Sequence, residues 1–309
     1  MRIGKILMLF FIVSIPFVHA SSNCIEGDCR DGSGKYEWAN GASYSGEFQK
    51  GQMQGKGFYI DPKGDQYEGE FRGGKLNGKG KVTFKSGELS EGDYVNGLLE
   101  GEGAYTFVNG DFYKGEFVKG RMHGKGVYIN SEKDEYSGDF RNGVFHGKGI
   151  LKFSAGGIYE GDFVKGSRTG KGIFTDKEGN VYTGSFKNGL FDGSGKFEIA
   201  GGALYIGGFK EGGYEGKGEF TDPVGNKYTG DFKAGMFNGK GVYEFQSGAK
   251  YEGTFKDGKY DGSGTYTTAG GIMYVGQFQG GVFHGKGTLY RPDGTIDRKG
   301  EFVQGKLIE

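Results

Sequence analysis

Apolar and polar residues alternate in short stretches along almost the whole chain, and the stretches recur at a fixed interval. In Gln66-Tyr67-Glu68-Gly69-Glu70-Phe71, Tyr67, Gly69 and Phe71 fall on one side of an extended segment and polar residues on the other, the two-residue period of a half-buried strand. Phe58-Tyr59-Ile60 reads as a short strand before it, and Asp61-Pro62-Lys63-Gly64 as the corner between the two. Proline presets φ at the second turn position, and glycine is free to take positive φ at the fourth. Arg72-Gly73-Gly74-Lys75-Leu76-Asn77 then turns the chain into the next copy. No stretch carries a helical period, so the pattern predicts β-hairpins in series.

Two landmarks fix the copy number. Gly-x-Gly pairs begin at residues 32, 55, 78, 101, 124, 147, 170, 193, 216, 239, 262 and 285, every step being 23. The glycine of Tyr-x-Gly-x-Phe recurs from Gly46 to Gly276 at the same step, and then after 24 residues at Gly300. The expected fold is all-β: an elongated, single-layer, twisted antiparallel β-meander of about twelve 23-residue hairpin repeats. Roughly 24 strands at about 4.8 Å would span about 110 Å, and a sheet of that size should twist. Pro62, Pro223 and Pro292 occupy the same corner position. Lys133 alone replaces the corner glycine, within Asn130-Ser131-Glu132-Lys133-Asp134, so that turn is expected to close differently.

The repeats align side chains in columns. Tyr44 and Phe48, Tyr67 and Phe71, Tyr113 and Phe117, Tyr136 and Phe140, and Tyr159 and Phe163 lead and close successive copies. The series continues with Tyr182 and Phe186, Tyr205 and Phe209, Tyr228 and Phe232, Tyr251 and Phe255, and Tyr274 and Phe278, and the leading Tyr fails only at Ser90 and Arg298. A further column holds Met53, Leu76, Leu99, Met122, Phe145, Phe191, Phe237 and Phe283. With no helix to cover the sheet, rings lying against glycine backbone must supply the core. The Tyr/Phe columns are also the candidate interaction face, as the lining of an aromatic groove.

Composition agrees with this architecture. Glycine takes 68 of 309 positions and proline four, which excludes collagen, and the 47 Phe and Tyr residues exclude disorder. Lys+Arg and Asp+Glu are 39 each, so nothing points to nucleic acid. Lysine follows the first glycine of Gly-x-Gly at Lys56, Lys79, Lys125, Lys148, Lys171, Lys217, Lys240 and Lys286, and an acid follows the Tyr-x-Gly glycine in eight copies. Such rows read first as a solvated face of weak pairs. The lysines are also the candidate contacts for anionic lipid headgroups or glycan.

Residues 1–20 read as a secretory signal peptide: a basic start, the apolar run Ile6–Val13, and Val18-His19-Ala20 at the cut. The mature chain is then expected to be periplasmic, cell-surface or secreted, and not transmembrane. Residues 21–31 would form an N-terminal segment ahead of an array over 32–309. In an oxidising compartment Cys24 and Cys29 would close a disulfide that staples the new N-terminus. Lipidation of Cys24 competes, although Ser21-Ser22-Asn23 lacks the usual apolar residue three positions upstream.

Catalytic, metal and cofactor readings fail on their neighbours. His123, His146 and His284 stand directly before Gly-x-Gly, in a slot held elsewhere by Gln54, Asn77, Glu100 and Thr169; a polar turn residue beside a turn glycine pair explains that variation better than a metal site. Gly51-Gln52-Met53-Gln54-Gly55-Lys56-Gly57 is one spacer short of a phosphate loop and has no helix after it.

Tyr67-Glu68-Gly69-Glu70-Phe71, Gly74 and Gly78-Lys79-Gly80, repeated at 23 residues, resemble the MORN (membrane occupation and recognition nexus) repeat family from about Asp31 to the C-terminus. The resemblance implies a repeat scaffold without an enzyme domain, used for dimerisation and for protein or lipid contact. A protein partner is therefore expected, with homodimerisation through an open sheet end as one form. Most members of the family are cytoplasmic, so their tethering of organelles does not transfer to a chain with an export signal.

Overall fold

Two kinds of turn build the array. The tight one is a two-residue loop with both residues at positive φ, as at Lys50 (φ 52) and Gly51 (φ 71), or Asn188 (φ 52) and Gly189 (φ 84). This is the type I′ geometry that matches strand twist. The wider corner closes with Gly64 N–H donating to the Asp61 carbonyl at 3.0 Å and Asp61 N–H to the Asp65 carbonyl at 2.9 Å. Lys133 does not alter this corner. It takes φ 71 itself, and Lys133 N–H reaches the Asn130 carbonyl at 3.0 Å as a glycine would. The expected different closure is corrected: Asn130 Oδ1 accepts Asp134 N–H at 2.7 Å and holds the loop in shape around a residue that disfavours it.

The computed structural model describes residues 23–308. Among these are twenty-six strands and no helix, and each strand whose register is given pairs antiparallel with its sequence neighbours. The count exceeds the expected 24 because Cys24–Gly27 forms a strand of its own, paired with Ser33–Glu37, and Lys306–Ile308 forms another, paired with Ile296–Val303. The chain divides into two compact units. The first runs through Gly156 and takes in Asp162–Gly166; the second takes Gly157–Gly161 and everything from Ser167.

Strands of seven and nine residues alternate, as in Ser43–Gln49, Gln52–Ile60 and Gln66–Arg72. The Gly-x-Gly pair, whose glycines read as turn residues in the sequence, lies inside the longer strand instead. Against the following strand the register is regular: Gly55, Lys56 and Gly57 face Phe71, Glu70 and Gly69. Against the preceding strand it jumps, from Gly46↔Gly57 to Glu47↔Gln54. Gly55 and Lys56 are thus extra residues on one side only, a bulge that bends the strand.

The leading tyrosine closes that bulge. Tyr44 is fully buried, and its ring lies on Gly57, where a Cβ would come within 2.4 Å of ring carbons. Its hydroxyl donates to the carbonyls of Glu47 and Gln54, both at 3.1 Å. These carbonyls lose their ladder partners where the register jumps, and a buried acceptor left unpaired costs about 1–3 kcal/mol. Phenylalanine would fill the space but leave them bare.

In the first unit the tyrosines of this column pack with aliphatic side chains and rings. Tyr113 meets Phe117 and Phe140 edge-on at 5.1 and 4.8 Å, with Met122 and Leu99 buried in the next column. Where Ser90 replaces the tyrosine the pattern yields: the Ser90 and Tyr94 hydroxyls bond to each other, and Tyr67 tilts half-buried against Tyr59. In the second unit the neighbouring column is mostly aromatic. Tyr228 stacks on Phe237 at 3.8 Å and 16°, with Phe232 and Phe255 edge-on at 5.1 and 4.9 Å. Each such pair contributes about 0.5–1.5 kcal/mol beyond burial. Arg168 takes the stacking slot once: its guanidinium lies 5.4 Å from both the Tyr159 and Phe174 rings and donates to the Gly189 carbonyl at 2.7 Å.

Candidate functional site

Alternation along each strand leaves a second face opposite the rings. In the second unit this face carries Lys217, Glu219, Thr229, Asp231, Lys240, Val242, Glu252 and Thr254. An open depression of about 740 Å³ crosses six strands here, lined by these side chains except Asp231 and by Ile206 and Ser263, with Gly218, Gly230, Gly241 and Gly253 between them. Ile206 is exposed, and Val242 half so. The lining mixes cations, anions, hydroxyls and two aliphatic side chains, so a ligand would meet side chains on a backbone already paired within the sheet.

The Tyr/Phe columns lie on the other face. Of the twenty rings offered as an interaction face, nineteen are buried and Tyr67 is half-buried. Tyr205, Tyr228 and Tyr251 have no exposure at all, and burial pushes the Tyr205 and Tyr251 hydroxyls up to about 12. They stay protonated as donors to the Gly208 and Thr254 carbonyls, both at 2.9 Å. The aromatic groove is therefore corrected: the rings are the core, and the accessible groove is polar.

The eight lysines are exposed as expected, but several are matched by the acid column. Lys79, Lys125, Lys148 and Lys217 pair with Asp93, Asp139, Asp162 and Asp231 at 2.6–2.8 Å. Lys56 and Lys286 stand opposite Glu70 and Glu301, and Lys240 opposite Thr254. Lys171 Nζ donates to Ser185 Oγ at 2.8 Å. The acids work twice: Asp139 also accepts Lys148 N–H at 2.9 Å, at the bulge. The Lys125 ammonium, ahead of that N–H, holds the Asp139 carboxyl below the usual carboxylate range.

His123 and His146 lie half-buried before the bulge glycines, and their carbonyls accept the Tyr113 and Tyr136 hydroxyls at 3.2 and 3.3 Å. No cluster of three or more His, Cys, Asp or Glu among the described residues could hold a metal ion. A disulfide joins Cys24 and Cys29 with Cα atoms 5.9 Å apart. It fastens the strand that forms the first unit's edge. The proposed signal peptide lies outside the described residues; among those that are described, no helix is long and apolar enough to cross a membrane.

Sequence reasoning passed over one row on the open face. Lys187, Lys210, Lys233 and Lys256 end successive seven-residue strands of the second unit, all exposed and 23 residues apart. The signal was present as Phe-Lys-x-Gly in four consecutive copies.

Hairpins in series, a core of rings over glycine and an open polar face define a repeat scaffold. The MORN repeat matches residues 30–43, 44–66, 67–88, 91–112, 113–132, 136–158, 159–181, 182–203, 205–227, 228–250, 251–273 and 274–296. The chain belongs to the MORN repeat family. No curated protein matches it. Among solved structures it is similar to the TCP10 domain of Danio rerio CPAP in complex with a peptide of Danio rerio STIL, at 12% identity over 79% of this chain and 98% of that one, TM-score 0.38. It is also similar to virginiamycin B lyase from Staphylococcus aureus, at 10% identity over 79% of this chain and 83% of that one, TM-score 0.15.

Proposed function

We propose that this protein is a non-enzymatic, exported scaffold that holds a partner protein on the open face of its second unit. The observation that carries the reading is the 740 Å³ depression, with its mixed lining of Lys217, Glu219, Thr229, Val242 and Glu252. Mixed charge, hydroxyls and aliphatic patches suit a polypeptide, whose own surface has the same variety. Export rests on the first twenty residues and fits the Cys24–Cys29 disulfide. Homodimerisation through strand ends is the weaker form of the reading. The terminal strands Cys24–Gly27 and Lys306–Ile308 are four and three residues long, and short edges offer few backbone bonds to a second copy.

The test is a photo-crosslinking residue at Thr229, with Asp293 on an exposed corner as control. A discrete, protease-sensitive adduct at Thr229 that Val242→Glu abolishes supports the reading. Adducts that resist protease and carry lipid or saccharide would replace it with the envelope-binding alternative.

A further inference from the structure

The four lysines at the hairpin tips face no acid on the strand that follows each of them. Their opposite residues are Leu190, Gly213, Met236 and Lys259. None of the four forms an ion pair among the described residues, whereas Lys217, two strand positions inward, is neutralised by Asp231 at 2.7 Å. Side-chain alternation puts them on the face of the depression, since Lys233 follows Asp231 by two residues. Glu211 and Asp257 stand in the turns beside Lys210 and Lys256, Asn188 follows Lys187, and Glu215 Oε2 on the preceding strand accepts the N–H of Ala234, next to Lys233, at 3.1 Å. None of these carboxylates, nor Asp192 beside Lys210, pairs with a tip ammonium, so four unpaired cations line one margin of the groove. In the first unit the same column reads Gln49, Arg72, Val95, Val118, Arg141 and Val164, so this continuity belongs to the second unit.

The spacing restricts what could match it. Successive lysines are two strands apart, or ~9.6 Å. A polypeptide in the polyproline II conformation makes one turn of three residues in ~9.3 Å and returns the same side of the chain to the sheet at each turn. We infer that the segment held on this face is an extended acidic peptide with a carboxylate at every third residue, each carboxylate meeting one tip lysine. The carboxylates line up with Lys187, Lys210, Lys233 and Lys256, and the side of the peptide facing inward lies along Ile206, Thr229 and Val242. Unpaired ammonium groups attract such a chain at long range and fix its register. The inference rests on the protein-binding reading above and names the chemistry of the partner.

The experiment measures fluorescence anisotropy of labelled peptides against the mature chain at low ionic strength. One probe is five copies of Asp-Pro-Ser; the other has the same composition with its five Asp contiguous. The expected result is at least tenfold tighter binding of the spaced peptide. A Lys210→Gln/Lys233→Gln/Lys256→Gln variant should lose at least tenfold, the corresponding Lys→Arg variant should retain binding, and Lys56→Gln/Lys79→Gln should change nothing. An unchanged thermal melt of the Gln variant excludes unfolding as the cause. Equal affinity for both peptides overturns the inference, as does full binding by the triple Gln variant. Stronger competition by alginate or by phosphatidylserine vesicles than by the spaced peptide also overturns it, assigning the row to a saccharide or a lipid surface. If the Thr229 adduct forms but neither peptide binds, only the acidic chemistry fails; if no protein adduct forms, the scaffold reading fails with it.

Discussion

Substituting Gly241 by alanine isolates the contact on which the core rests. Gly241 is not at positive φ, so alanine meets no backbone strain and the whole effect comes from space. Its Cβ would stand 2.5 Å from Tyr228 Cε2 and from the Tyr228 hydroxyl, and 2.7 Å from Cζ. The ring has nowhere to go: it has no exposure, Phe237 stacks on it at 3.8 Å, and Phe232 and Phe255 abut its edges. Forcing a methyl group into a filled core costs about 1–3 kcal/mol. Expelling the ring instead forfeits roughly 200 Å² of burial at about 25 cal/mol/Å², near 5 kcal/mol. The cheaper response sets the cost, so a loss of about 1–3 kcal/mol follows, a factor of about 5–150 in the opening equilibrium. Repeat arrays open locally, so the assay is native-state hydrogen exchange over Lys227–Lys233 and Met236–Glu244. In a Tyr228→Ala background the obstacle is gone, and Gly241→Ala should cost under about 1 kcal/mol, leaving a large coupling in the double-mutant cycle. Additive effects, or a single-mutant loss under about 1 kcal/mol, would refute the ring-on-glycine account.

Three further outcomes are expected. Lys133→Gly should stabilise the first unit by about 0.5–1 kcal/mol, because it removes a left-handed lysine at some cost in unfolded-chain entropy; a lowered melting temperature would contradict this. Lys125→Gln should raise the NMR-titrated pKa of Asp139 towards the ordinary value of about 3.9. The native carboxyl lies below that value, so its ionised form supports the fold at neutral pH, and that support is lost as pH falls through the depressed value; an unmoved titration would remove Lys125 as the cause. Replacing Cys24 and Cys29 by serine should lower exchange protection in Cys24–Gly27 and Ser33–Glu37 by about 2 kcal/mol on loop-closure grounds. Protection over Lys227–Lys233 should stay unchanged.

Much of the fold was legible because turn chemistry and strand alternation repeat at a constant interval, and errors in one copy are corrected by the next. The misreadings have physical causes. Glycine marks turns and bulges alike, so Gly55-Lys56-Gly57 gave no local sign that it lay within a strand. A tyrosine and a phenylalanine bury similar surface, and only the register jump reveals why Tyr228 needs its hydroxyl. Pairing of Lys125 with Asp139, fourteen residues on, depends on cross-strand register, so the lysine row looked freer than it is. The open face was hardest to see. Its floor is glycine and its walls are ordinary polar side chains, and the tip lysines stand in line only from Lys187 onward.

The one-sided bulge gives the chain a direction. Each nine-residue strand whose two registers are given has one edge that fits the strand after it and another that fits only the strand before, so the two cannot be exchanged. Removing any 23 consecutive residues from the middle of a unit rejoins a leading edge to a trailing one and recreates a junction already present. Removing a single arm of a hairpin brings together two edges of the same kind, and the tyrosine is left without a glycine to lie on. Such a chain gains or loses length only in whole copies, as a ruler does in whole divisions, and the number of side-chain rows along its open face changes in the same steps.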